Sequence, residues 1–203
     1  MSQVVSELAR RLNRLNAKGK KFPHLIFMTD MERLPDPCGL IPRLPVGSAL
    51  IIRHIDKCAK KYLIKKNKYL CKKHKVKLLV SDDIDLALRY RLDGVHFSQK
   101  TAQKMAQCGY IKRPKPGFIF SAACHNEQAL RAAQHIHCDI ALISPIFPTQ
   151  SHPTAITKKA LGFQRLAKKT DLACYGLGGI NKKTAFHLQH TKTCGFAGIS
   201  GLL

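Results

Sequence analysis

Gly176-Leu177-Gly178-Gly179-Ile180 and Gly195-Phe196-Ala197-Gly198-Ile199-Ser200 decide how this chain is read. Each contains or follows a short apolar run of strand type, and a helix-like stretch, Asn181–His190, lies between them. Glycine at the C-terminal end of a strand lets backbone N–H groups approach an anion with no Cβ in the way. Two such ends on consecutive strands are how a (β/α)8 barrel builds its usual phosphate site, after strands seven and eight. Either segment alone also fits an ordinary tight turn. As a pair closing a chain of alternating elements, they point to a phosphorylated small molecule as ligand.

Working back from that pair, apolar strand-type segments recur with helix-length intervals between them. Strands are predicted at His24–Thr29, Ala49–His54, Lys77–Val80, Gly94–Phe97, Phe118–Ala122, Asp139–Ser144, Leu172–Gly176 and Phe196–Ile199. Helices are predicted at Lys57–His74, Ile84–Arg91, Gln99–Gln107, Glu127–His135, Ala160–Lys169 and Asn181–His190. Four prolines between Met31 and Gly47 leave room there for a short helix only. Alternation of this kind argues for an α/β fold with an all-parallel sheet, and a closed (β/α)8 TIM barrel is the economical solution. A Rossmann fold would place G-x-G-x-x-G after the first strand, and that turn is absent. An extra N-terminal helix, Val4–Leu15, precedes the first strand, and the last strand has no helix after it. One outer groove therefore needs the N-terminal helix or a second subunit to cover it, which makes a homo-oligomer the expectation.

The 203 residues fit a single domain spanning 1–203, with no linker or repeat dividing them. No apolar run is long enough for a membrane span, and the charged, amphipathic N-terminus lacks a signal peptide's apolar centre, so a cytoplasmic protein is expected. Eight cysteines without a C-x-x-C pair suit reduced, structural thiols, with Cys124 the one beside a histidine. The net charge of +23 favours anionic ligands and polyanions in general. It arises from scattered lysines and only three glutamates, Glu7, Glu32 and Glu127. The densest stretch, Lys57 to Lys77, interleaves lysines with Tyr62, Leu63, Ile64, Tyr69 and Leu70 at helical spacing, as a solvated helix face does. With no nucleic-acid motif, no specific nucleic-acid partner is expected.

In a parallel barrel, chemistry sits where strands give way to loops. Those positions hold Asp30, Arg53, Ser81-Asp82-Asp83, His96, Cys124-His125, Ser144 and the loop Phe147-Pro148-Thr149-Gln150-Ser151-His152. Arg53 is a fixed cation in an apolar strand, so it meets either an anionic ligand or a structural partner, Asp30 or Asp82. Asp82 and Asp83 could hold Mg2+, although Asp83 also fits a helix N-cap. His96, mid-strand, reads as core or as a support behind the site residues. His125 precedes the helix entry Asn126-Glu127 and should face the mouth, where a neutral imidazole serves as general acid or base.

At these residues the chain resembles the thiamine phosphate synthase/TenI family. The resemblance lies in Asp93-Gly94-Val95-His96-Phe97-Ser98-Gln99, His125-Asn126-Glu127-Gln128-Ala129, Ser144 to Pro153, Ser81 to Leu88 and the two glycine segments. It runs in order from about His24 to the C-terminus. It implies a (β/α)8 fold, usually homo-oligomeric, and one of two activities. One branch joins hydroxymethylpyrimidine pyrophosphate to thiazole phosphate with Mg2+. The other isomerises a thiazole carboxylate phosphate without metal. The resemblance implies Arg53, His125 and His152 as catalytic residues, His125 by its match to the acid–base histidine of the TenI branch. Ser81, Thr149, Ser151, Gly178, Gly179, Ile199 and Ser200 would bind phosphate or substrate, and Asp82 would hold the metal.

Several positions depart from that pattern. Ser81 replaces an asparagine, Thr101 the second metal carboxylate, Ala123 a serine, and His152 the lysine that grips pyrophosphate. These losses weaken the expected Mg2+ and pyrophosphate handling. The expected function is thiamine phosphate synthesis. The alternatives are a tautomerase working through His125, and a non-catalytic or repurposed barrel holding a phosphorylated small molecule.

Overall fold

Each apolar run becomes a strand with two buried faces, because its alternate residues enter two different apolar layers. In β1 (Leu25–Met28), Leu25 and Phe27 join the layer under the helices, while Ile26 and Met28 join an inner cluster. The computed structural model describes residues 3–109, 112–149, 156–199 and 201–202. In chain order follow β2 (Ala49–Ile52), α2 (Lys57–Lys73), β3 (Lys77–Ser81), α3 (Ile84–Arg89), β4 (Gly94–Phe97), α4 (Gln99–Cys108), β5 (Ile119–Cys124), α5 (Glu127–His135), β6 (Ile140–Ile143), α6 (Lys159–Ala167), β7 (Ala173–Leu177) and β8 (Phe196–Gly198). The strands form one closed parallel barrel in sequence order, sealed by the β1–β8 pairing of Ile26 with Ala197. The (β/α)8 architecture read from the sequence is the one observed.

The barrel interior is filled from the inner faces of the strands. Ile26, Ile51, Leu79, Ile119, Leu142 and Tyr175 meet there. Tyr175 is fully buried, yet its hydroxyl donates to Pro23 O at 2.6 Å and accepts from Asn13 Nδ2 at 3.1 Å. A satisfied hydroxyl makes an aromatic ring tolerable in the floor of the barrel. Helix entries are set by short polar side chains: Asp83 accepts from Leu86 N, Ser98 from Thr101 N and Asn126 from Ala129 N.

Two features of the outer layer differ from a regular barrel. The helix expected over Asn181–His190 is reduced to a 3-10 turn, Ala185–Leu188. Asn181 Oδ1 accepts from Lys183 N at 2.8 Å, and Thr184 Oγ1 donates to Gly179 O at 2.8 Å. These local side-chain bonds compete with the helix for its first turn. A 3-10 turn, Ile41–Arg43, is also all that the proline-rich β1–β2 link allows.

The second feature is α1 (Gln3–Asn16), whose Val5, Leu8, Ala9 and Leu12 are buried in the same layer as Leu25, Phe27 and Phe196. Asn13 donates to Cys194 O at 2.8 Å and Asn16 to Thr193 O at 2.7 Å, just ahead of β8. Of the two occupants foreseen for the open groove, the N-terminal helix takes the place. Among the described residues no helix is long and apolar enough to cross a membrane.

Candidate active site

The glycine pair after β7 is shaped by a loop that lies directly on it. Gly178 and Gly179 have φ of 95° and 66°, in the left-handed region that favours glycine. A Cβ on Gly179 would lie 2.5 Å from Pro148 O and 2.7 Å from Phe147 Cβ. The loop is anchored there by Ile146 N donating to Leu177 O and Phe147 N to Gly178 O, at 3.0 and 3.1 Å. Thr149 is carried to the same place, its Cγ2 3.5 Å from where a Cβ of Gly178 would stand. Leu177 pairs with Ala197, so Ile199 rises from the neighbouring strand end. The backbone N–H groups of Gly178, Gly179 and Ile199 donate to no backbone carbonyl among the described residues. Such amides at paired strand ends are the donors that a phosphate requires. Ser200, Ser151 and His152, also expected in this site, lie outside the described residues.

Across the mouth, the residues after β1 to β4 form a charged group. Arg53 stands just beyond β2 rather than within it, half-exposed, with Nη2 2.8 Å from Asp30 Oδ2. Asp30 also takes two bonds from the Arg33 guanidinium, which mainly hold its carboxyl down to about 2. The pairing of Arg53 with Asp30, one of the two partners considered, is thus present. Among the described residues no other side-chain bond engages the Arg53 guanidinium.

Asp82 follows β3 with φ of 52°, and its Oδ1 accepts from Ser98 N at 2.7 Å. Beneath it, buried Lys60 donates to Ser81 O at 2.7 Å. His96 is buried inside the barrel with Nδ1 3.0 Å from Ser121 Oγ. Burial pushes its pKa down to about 4, with the Asp82 carboxylate working against that and Arg53 with it. Ile52 pairs with Val80 and Ser81 with His96, so Arg53, Asp82 and His96 gather at one end of the barrel. His96 is neutral at physiological pH, as a core histidine should be.

His125 opens the next sector. Its N–H donates to Gln99 Oε1 at 3.1 Å, and its Nδ1 lies 3.1 Å from both the carbonyl oxygen and Oγ of buried Ser144. The carbonyl can only accept from Nδ1, whereas the hydroxyl can also donate to it, so together they orient the ring for either tautomer. The imidazole is exposed and oriented by Ser144. Its neighbour Cys124 is fully buried and its thiol is pushed up to about 12 by burial, so it supplies no thiolate.

The residues present offer little to a metal. Among the described residues no group of three or more His, Cys, Asp or Glu could hold one. Asp83 is committed to its N-cap, and Thr101 accepts from Ser98 Oγ at 2.9 Å where a second carboxylate was expected. Asp82 retains one carboxylate oxygen. A single carboxylate plus substrate phosphate oxygens and water is within the range that Mg2+ accepts.

Three site residues escaped the sequence reading. Ser98 fixes Asp82, Gln99 fixes the backbone of His125, and Lys60 supports Ser81. Ser98 and Gln99 were legible as the start of α4 but not as partners across strands. Lys60 is one lysine among many on α2, with nothing in its spacing to single it out.

The fold is a closed parallel (β/α)8 barrel whose mouth brings together the glycine strand ends, Arg53, Asp82 and His125. The family model described as thiamine monophosphate synthase matches residues 48–202. The chain belongs to that family. A thiamine-phosphate synthase of Methanocella arvoryzae is 31% identical over 174 residues, covering 81% of this chain and 78% of that protein. One of Prochlorococcus marinus is 28% identical over 226 residues, covering all of this chain and 61% of the relative. Against several relatives the chain thus spans less than two thirds of their length, 61% to 63%. A solved thiamine phosphate pyrophosphorylase from Pyrococcus furiosus superposes with a TM-score of 0.70 at 22% identity over 89% of this chain and 86% of that one, a likeness of fold.

Proposed function

We propose that this protein is a thiamine phosphate synthase-type transferase, joining hydroxymethylpyrimidine pyrophosphate to thiazole phosphate. Such a reaction breaks the methylene C–O bond, forms a bond from that carbon to the thiazole nitrogen, and releases pyrophosphate. The observation that carries the reading is the pairing of the glycine grip after β7 and β8 with Arg53 and Asp82 across the same mouth. The grip suits the thiazole's phosphate, and Arg53 suits the pyrophosphate as negative charge develops on it. Mg2+, when bound, would neutralise charge on that leaving group, with Asp82 as its protein ligand. Lys60 adds a buried positive charge under the Ser81–Asp82 turn.

One observation favours a second reading. His125 is exposed at the mouth and held at Nδ1 by Ser144, which suits metal-free proton transfer on a phosphorylated thiazole. The two are separated by assaying thiamine phosphate formation and thiazole isomerisation in parallel. Synthase activity should need Mg2+ and vanish in Asp82→Asn; activity indifferent to chelator would sink it. Isomerisation should survive chelation and vanish in His125→Ala; full rate in that variant would exclude it. Protection of the fold by thiazole phosphate with neither product formed would leave a binding protein.

A further inference from the structure

The outer side of α2 carries a surface unrelated to the barrel mouth. α2 has eight lysines and no carboxylate. Its inward side is committed: Leu63, Ile64 and Cys71 are buried, and Lys60 is bonded to Ser81 O. Its tyrosines face outward, with Lys66 Nζ 5.7 Å from the centroid of the Tyr62 ring. Tyr62 is 62% exposed and Tyr69 is 72% exposed. Seven residues apart, they lie on one side of the helix about 10 Å from each other along its axis. Exposed Lys65, Lys68 and Lys72 stand between and beside them.

Where α2 ends, a groove of about 540 Å³ continues this face. Its charged lining is Lys68, Lys72, Lys75, Lys77 and Arg91 against one carboxylate, Asp93, whose Oδ2 already accepts from Leu78 N at 2.8 Å. None of the five cations forms an ion pair among the described residues. Lys77 begins β3 and Asp93 precedes β4, so the groove opens at the N-terminal ends of the strands, opposite the mouth.

We propose that this face binds single-stranded nucleic acid without base preference, its phosphates along the groove cations and its bases stacked on Tyr62 and Tyr69. Exposed aromatics interleaved with cations are what a flexible polyanion with free base faces requires. A single small anion is disfavoured, because the α2 C-terminus points its negative dipole end at the groove. Lys72 and Lys73 could serve merely to offset that dipole, but Lys75, Lys77 and Arg91 lie beyond the helix. A membrane surface would need a free apolar side on α2, and that side is buried in the barrel wall.

The test is fluorescence anisotropy of the full chain with a labelled oligothymidylate of about twelve nucleotides, a length matched to typical site sizes. Five phosphate contacts give a log–log salt slope of roughly −3.5, so affinity falls about a hundredfold between 50 and 200 mM salt. Tyr62→Ala with Tyr69→Ala should weaken binding by at least about 25-fold with the slope unchanged. Lys68→Gln with Lys72→Gln and Arg91→Gln should reduce the slope by about two. The control, Lys104→Gln with Arg165→Gln and Lys168→Gln, removes the same charge from α4 and the α6 region and should change little. Melting temperatures of all variants establish that each is folded. Equal losses in both charge variants, or tyrosine-independent binding that duplex DNA matches, would overturn the proposal. So would absence of binding at low salt, or tyrosine-dependent sedimentation with phosphatidylserine vesicles alone.

Discussion

Substituting Gly179 by alanine tests the phosphate grip at its tightest point. Two costs add. Its φ of 66° is left-handed, and a Cβ there costs about 1–2 kcal/mol. That Cβ would also meet Pro148 O at 2.5 Å and Phe147 Cβ and O at 2.7 Å. Backbone atoms cannot swing aside, so the 145–149 loop must shift, at about 1–3 kcal/mol by analogy with overpacked cores. Together these destabilise the fold by about 2–5 kcal/mol, or roughly 4–20 °C in melting temperature for a chain of this size. Gly117→Ala supplies the reference: its φ is 73°, but nothing lies within 4 Å of the added Cβ, so only the conformational cost of about 1–2 kcal/mol remains. The assay is thermal unfolding of both variants with and without thiazole phosphate. The ligand-induced rise in melting temperature should survive in Gly117→Ala and largely disappear in Gly179→Ala. Equal destabilisation of the two, or an undiminished ligand effect in Gly179→Ala, would refute the account of the loop resting on the glycine.

The titrating groups make their own predictions. Asp30, held down to about 2 by its Arg33 bonds, stabilises the fold above its ordinary range by on the order of 2 kcal/mol, and this is lost as pH falls from about 4 to 2. Asp30→Asn should therefore cost that much at neutral pH and nothing near pH 2 in denaturant titrations. His96, neutral in the barrel, binds its proton only near 4, whereas the unfolded chain binds it near 6.5. Stability should drop by on the order of 3 kcal/mol over that interval as pH falls. His24, also pushed down to about 4 by burial, adds a similar share, so His96→Gln should remove roughly half the slope. Thr101→Asp adds a carboxylate next to Ser98, the residue that holds Asp82, and should lower the Mg2+ needed for half-maximal synthesis on the order of tenfold. An unchanged requirement would speak against Asp82 as metal ligand.

The barrel was legible because most strand positions are buried on both faces, so that several strands read as uninterrupted apolar runs, as in Ile140-Ala141-Leu142-Ile143. The N-caps at Asp83 and Ser98 and the left-handed glycines leave signatures of residue type, and these fixed where loops begin. What stayed hidden depended on contacts between distant segments. That Asp30 rather than Asp82 pairs with Arg53, and that Gln99 reaches the His125 amide, follows from barrel closure and not from local pattern. The Asn181–His190 segment was misjudged because its apolar spacing suits a helix, while Asn181 and Thr184 spend their side chains on the backbone. Tyr62 and Tyr69 show the same limit. Spacing puts them on α2 but does not reveal how little of them the barrel covers.

The bonds from Asn13 and Asn16 to the carbonyls ahead of β8 join segments separated by more than 160 positions along the chain. β8 has only three residues; its ladder to β7 holds two residue pairs, the fewest in the wall, and its ladder to β1, the closing seam, holds three. Closure of that seam must wait until nearly the whole polypeptide is present, and it carries the largest loop entropy of any pairing in the molecule. α1 acts as a latch thrown across the last gap. In native-state hydrogen exchange, the amides of Phe196 to Gly198 should open before those of β3 to β6. A phosphate held between Gly179 and Ile199 would fasten the other edge of the same strand, so that the ligand tightens the barrel where it is weakest.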